Sequence, residues 1–260
     1  IYVAALGRTG IGKEHARKVI KLMFAQTGVD GFGAEKLSSR SAIERTISAT
    51  PSCLYMIDEF GHYISSIMNP NSNSHLRDVS SMFLELYGSS SSKFFGTDKA
   101  NSRENPRFEI DQPSASIYGS STKESFFGAL TSEAVSSGTL NRFLIFDAPE
   151  ERPPVNEAGI IAEIPLKLTN LVRTYNDMPI DPGAKGNITK LGIPKPLVIR
   201  SSDAAKIIFR TFQKETLRLS DLGAETSAMW CRASETAKKI ALILAGSRFT
   251  DITADDANYG

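Results

Sequence analysis

Cysteine is scarce in this chain, with Cys53 and Cys231 the only two among 260 residues and no Cys-x-x-Cys pair. Two isolated thiols do not make a disulfide scaffold, and three histidines, His15, His62 and His75, show no zinc-ligand spacing. No run of about 18 apolar residues is present, so no α-helical membrane span is expected and the chain reads as soluble. An excess of one charge is also missing. The 30 basic and 29 acidic residues leave a net charge of +1, which excludes a broadly basic nucleic-acid surface and confines any such contact to a local patch. Internal repeats and coiled-coil heptads are absent as well.

What remains is ordinary globular composition, 41% hydrophobic and 23% charged, at a length that fits one large domain or a core domain with an appendage. Short apolar runs alternate with helical periodicity. Residues 1–6 read as a buried strand, and a helix is expected from Lys13 to about Gln26, where Ala16, Val19, Ile20 and Met23 recur at spacings of three and four. A short helix over 41–49 follows, then a strand over 53–57, a helix over 76–87 and a serine-rich loop at 89–92. Strands at 114–118 and 143–146 flank a helix over 124–135. This alternation predicts an α/β domain with a largely parallel sheet and flanking helices. The prolines of Pro149-Glu150-Glu151-Arg152-Pro153-Pro154 suggest a linker, dividing a core domain at 1–149 from a mainly helical domain at 150–260 with helices over 157–176, 202–219 and 225–246. The chain opens inside a strand and stops in what reads as a first helical turn, as a piece of a longer polypeptide would.

Between the first strand and the first helix lies Gly7-Arg8-Thr9-Gly10-Ile11-Gly12-Lys13, which matches the phosphate-loop pattern G-x-x-x-x-G-K in the context that pattern requires. Glycines let successive N–H groups converge on phosphate oxygens, the helix N-terminus adds partial positive charge, and Lys13 reaches the β- and γ-phosphates. The pattern then expects Ser or Thr to hold Mg²⁺, but the chain has Glu14. A carboxylate there could bind the metal or repel triphosphate, so slow hydrolysis, or binding without it, is one expectation.

Leu54-Tyr55-Met56-Ile57-Asp58-Glu59 places two acids at the end of an apolar strand. Asp58 is positioned to hold Mg²⁺, with Glu59 beside it, and Glu59 is the candidate to polarise the attacking water. At the end of the third strand, Ser120 or Ser121 is a candidate sensor of the γ-phosphate, or a helix cap. Arg142, directly before the strand at 143–146, is a candidate to stabilise the transferring phosphoryl group from a neighbouring subunit. Arg232 is a weaker candidate sensor. Phe94-Phe95 and Phe108-Glu109-Ile110 flank a basic turn containing Lys99, Arg103 and Arg107, read as a long β-hairpin.

Together, residues 7–13, Ile57-Asp58-Glu59-Phe60-Gly61, the strand at 114–122, residues 138–146 with Arg142 and the late helix at 238–245 resemble the primase-helicase ATPases of phages and mobile elements. The resemblance implies a P-loop NTPase fold of the RecA or AAA+ kind, with ATP and Mg²⁺ as cofactors and ATP-driven work on DNA during replication. It also implies a homo-oligomeric ring, a fused or partner primase, and the cytoplasm of a bacterial host. The related superfamily 3 helicases carry a DNA-contacting hairpin before the sensor strand, which makes Lys93, Lys99 and Arg103 candidate contacts to the phosphates of single-stranded DNA, independent of its sequence. Glu14 fits that family poorly. The reading is therefore a helicase or translocase motor. Its rivals are an ATP-binding switch or assembly protein with weak turnover, a packaging motor, and a recombination ATPase.

Overall fold

Strand β1, Tyr2–Leu6, is half-buried at Val3 and Ala5 and fully buried at Tyr2, Ala4 and Leu6, as expected for a strand covered on both faces. It belongs to a four-stranded parallel sheet of order β2-β5-β1-β6, where β2 is Ser52–Ile57, β5 Ser114–Ser121 and β6 Phe143–Asp147. The computed structural model describes residues 1–69, 71–98, 100–101, 103–104, 106–130, 138–149, 151, 154, 163–177, 196–223 and 227–260.

Helix α1, Lys13–Thr27, follows β1 and ends at Gly28 in the left-handed conformation (φ 69°), the usual way to satisfy the last carbonyls. Helices α2 (Arg40–Ala49), α4 (Ser74–Gly88) and α5 (Lys123–Gly128) start at Ser39, Asn73 and Thr122, whose side chains accept N–H groups of their first turns. Helix α3, Phe60–Met68, was not expected from the sequence. Its buried residues Phe60, Ile64 and Ile67 keep a helical spacing, but the run follows two acids and is interrupted by glycine and serines, so it reads as a loop. Val79, Met82, Phe83 and Leu86 of α4 bury one stripe, and the Tyr2 hydroxyl donates to the Phe83 carbonyl at 2.8 Å.

The basic turn is an antiparallel ribbon of β3 (Lys93–Phe95) and β4 (Glu109–Asp111), in register Lys93↔Asp111 and Phe95↔Glu109. Buried Glu44 anchors it to α2, accepting from the N–H and hydroxyl of Thr97 at 3.0 and 2.9 Å and from Arg40 at 2.9 Å. Of the helix expected over 124–135, the part at 131–135 lies outside the described residues. Likewise, of the helix expected over 157–176, residues 157–162 lie outside them and the described helix, α6, is Leu166–Asn176. It packs on α1, with Arg173 donating to the Gln26 carbonyl at 3.0 Å.

The chain forms two compact units, Ile1–Thr131 with Ile145–Lys195, and Ser132–Leu144 with Pro196–Gly260. Among the described residues, 163–177 group with the first unit and 138–144 with the second. The second unit is built from α7 (Asp203–Asp221), α8 (Ser227–Arg248) and α9 (Ala254–Tyr259). Ala205, Phe209, Ala241, Ala245, Ile252 and Ala257 form its core, and Thr253 and Asp256 close a capping box at the start of α9. Among the described residues no helix is long and apolar enough to cross a membrane.

Candidate nucleotide-binding site

The loop after β1 is shaped by its glycines. The Gly7 N–H donates to the Ser121 carbonyl at 3.1 Å, tying the start of the loop to the end of β5. A Cβ on Gly7 would lie 2.9 Å from Ile11 and 3.2 Å from Ala148, so a side chain has no room there. Gly10 and Gly12 have φ of 79° and 95°, a region that other residues enter only at a cost. Gly12 caps α1, and no side chain caps the N–H groups of the helix's first turn, leaving its positive end facing the loop. Arg8, Thr9, Gly10 and Gly12 are exposed. The Lys13 ammonium folds back over the loop, donating to the Gly7 carbonyl at 2.5 Å and the Arg8 carbonyl at 3.3 Å. These features suit the binding of a phosphate.

The parallel register brings the acids to the same edge of the sheet. Ile57 lies opposite Gly119 and Ala5 opposite Ser120, so the ends of β2, β5 and β1 meet side by side. The Ser120 hydroxyl donates to Asp58 Oδ1 at 2.8 Å, and the Glu59 N–H donates to the same oxygen at 3.0 Å. Ser121 does something different: its hydroxyl accepts the Gly61 N–H at 3.0 Å in a buried contact. Of the two serines, Ser120 is therefore the one beside the acid. Glu59 is exposed, caps α3 and holds φ of 48°, a left-handed conformation that is uncommon outside glycine and concentrates at functional sites.

Arg17 is a site residue that the sequence reading missed. Its guanidinium, 9% exposed, sits 2.7 Å from Asp58 Oδ2 and 3.4 Å from Glu35, and Glu35 pairs in turn with Lys21. One turn separates Arg17 from Lys13, so both share a helix face, and a basic residue on the face turned to the sheet was the available signal. Burial opposes ionisation of Asp58, yet the hydrogen bonds from Ser120 and the Glu59 N–H, together with Arg17, hold its carboxyl below the usual aspartate value. The Lys21 hydrogen bond does the same for Glu35.

A depressed carboxyl pKa stabilises the fold above the unfolded value, and that contribution is lost as pH falls through the folded value. Because the Asp58 side chain is 54% exposed, solvent screening limits its pairing with Arg17 to about 1 kcal/mol. Asp58→Asn is thus expected to lower stability by about that amount at pH 7, with the difference from wild type vanishing in acid below the folded pKa. Urea titrations of both proteins across that range check it, and a difference independent of pH would refute it.

Glu14 pairs with Lys18 at 3.2 Å on an exposed stretch of α1. With Glu14 so engaged and both Asp58 oxygens accepting from Arg17, Ser120 and the Glu59 N–H, direct ligation of Mg²⁺ by Asp58 would compete with these contacts, and Glu59 is the exposed acid beside it. Among the described residues no cluster of three or more His, Cys, Asp or Glu could hold a metal ion.

Arg142 lies in the second unit, where its Nη1 donates to the Gly138 carbonyl at 2.6 Å. Arg232 is paired with Glu235 at 2.7 Å. On the ribbon, Lys93 stands 3.5 Å from Asp111 and 3.8 Å from Glu109, and Arg107 stands 3.2 Å from Glu109 and over the Phe95 ring. Arg103 is exposed, while Lys99 lies outside the described residues. The segment 93–111 contains four basic and four acidic residues, so its charge is balanced and Arg103 is the ribbon's best-placed described cation for a phosphate. Cys53 is a buried thiol pushed up to about 11 by its burial, and it plays no part in the site. A scan against protein-family models finds no match for this chain, and a search of curated proteins finds none either.

Proposed function

We propose that the loop of residues 7–13 binds the phosphates of ATP and that the chain is the ATPase domain of a DNA helicase or translocase serving replication of a phage-like element in the bacterial cytoplasm. One observation carries the reading: the register of β2, β5 and β1 gathers the glycine loop, Asp58, Glu59 and Ser120 at one edge of the sheet. In this reading Lys13 leaves its two carbonyl partners for the β- and γ-phosphates. Asp58 positions Ser120 and Arg17, and Ser120 responds to the γ-phosphate. Glu59 accepts a proton from the attacking water. Arg142 acts on the phosphoryl group of a neighbouring subunit in a ring, and Arg103, with Lys93 and Lys99, follows the phosphates of single-stranded DNA. ATP arrives with Mg²⁺ on its own phosphates, and a primase is the expected partner.

A second reading, an ATP-binding switch with slow turnover, is favoured by the Glu14–Lys18 and Arg17–Asp58 pairs, which occupy the carboxylates expected to assist a metal. Calorimetric ATP binding, with hydrolysis measured with and without single-stranded DNA, tests both. Lys13→Ala should weaken ATP binding by about 10- to 150-fold, the loss of one charge-assisted hydrogen bond of about 1.5–3 kcal/mol. DNA-stimulated turnover supports the motor, and tight binding without turnover supports the switch. Absence of ATP binding by the wild-type chain would sink both.

A further inference from the structure

The second unit has a recess of about 480 Å³ whose lining holds three cations and no carboxylate. Lys206 and Arg210, one turn apart on α7, face it together, and Lys238 approaches from α8. Phe209 and Ile252, each 6% exposed, contribute to its floor and belong to the unit's core, so the recess is backed by rigid packing. Asp203 partly neutralises Lys206 at 2.8 Å and also acts electrostatically on Arg210. Among the described residues neither Arg210 nor Lys238 makes an ion pair. Three like charges around one recess repel one another, and an anion placed among them removes that cost. An apolar floor beside the cations accommodates a flat, weakly hydrated body better than a bare inorganic ion, and arginine stacks on such surfaces.

We propose that this recess binds a nucleotide unit, with its phosphate among Lys206, Arg210 and Lys238 and its base against the apolar lining. This site is separate from the glycine loop and does not depend on what that loop binds. The unit has two sources, a single strand of nucleic acid or a free nucleotide.

The test uses the full chain carrying Lys13→Ala, so that nucleotide binding at the glycine loop is weakened. Binding of labelled oligo-dT is followed by fluorescence anisotropy and binding of AMP by calorimetry, before and after adding Arg210→Ala with Lys238→Ala. Both side chains are exposed, and an unchanged melting temperature verifies that the variant is folded. The expected result is at least a tenfold loss of affinity for one probe. If that probe is oligo-dT, the slope of log K against log salt should also become shallower by about 0.7, the share of the one phosphate held there. Loss for oligo-dT identifies a strand as the source, and loss for AMP alone identifies the free nucleotide. Binding of neither probe, or equal affinity and salt slope in parent and variant, would overturn the proposal. Failure here leaves the glycine-loop reading intact, since ATP binding by the wild-type chain is measured separately.

Discussion

On the proposed ATPase reading, Glu59→Gln is expected to lower the kcat of ATP hydrolysis by about 10²- to 10⁴-fold, the usual contribution of a positioned general base, while ATP affinity is retained. The substitution keeps the size and polarity of the side chain and removes its ability to take a proton. It also keeps the backbone, which matters because Glu59 sits at φ 48° where β2 hands over to α3. A non-glycine residue held there costs of order 1–3 kcal/mol, and the surrounding structure maintains it: the Glu59 N–H is bound to Asp58 and its carbonyl accepts from the Tyr63 N–H at 3.1 Å. Glu59→Gly separates strain from chemistry. It should be at least as stable as wild type, since glycine adopts this φ freely, and as slow as Glu59→Gln. Single-turnover hydrolysis with parallel calorimetry distinguishes the steps, and a Gln variant with wild-type kcat would remove Glu59 from the chemistry.

Gly61→Ala should be strongly destabilising, costing about 3 kcal/mol or more. A Cβ on Gly61 would lie 2.5 Å from the Ser125 carbonyl carbon and 2.6 Å from the Phe126 nitrogen. Those are backbone atoms of the first turn of α5, held by the Thr122 cap, so they cannot swing aside as a side-chain tip would. The Gly61 N–H is bound to Ser121 at the end of β5, and the Phe60 ring lies where a Cβ on Gly119 would be only 2.3 Å away. Residues 60 and 61 therefore lock α3 against β5 and α5, next to the acids at 58 and 59. For a chain of this size the loss corresponds to a fall in Tm of roughly 6–12 °C, at about 2–4 °C per kcal/mol. Gly88→Ala is the control, because open space surrounds that position, and it should be neutral or slightly stabilising. Equal melting temperatures for the two variants would show that the close approach at Gly61 is relieved cheaply.

The α/β class, the strands near 1–6, 53–57, 114–118 and 143–146, and the glycine loop in its strand–helix setting were all legible in the amino-acid sequence. Period, apolar runs and glycine spacing are local properties, and each residue's neighbours along the chain suffice to state them. The places of Asp58 and of Ser120 or Ser121 at strand ends were legible in the same way, and made them candidates together with the glycine loop. Helix α3 escaped because its stripe is short and carries a glycine whose role is set by α5, not by its own segment.

What only the tertiary structure decided is which groups meet. Sheet order and register place Ser120 on Asp58 while sending Ser121 to Gly61, although the two serines are adjacent and chemically identical. Folding α1 over the sheet brings Arg17 to Asp58 across 41 positions. Pairing β3 with β4 sets acids beside Lys93 and Arg107, turning a turn that read as basic into a balanced one. Packing α7 on α8 assembles Lys206, Arg210 and Lys238 around one recess. Each is a long-range pairing of polar groups, and electrostatic and hydrogen-bond energies depend on distances that local pattern does not encode.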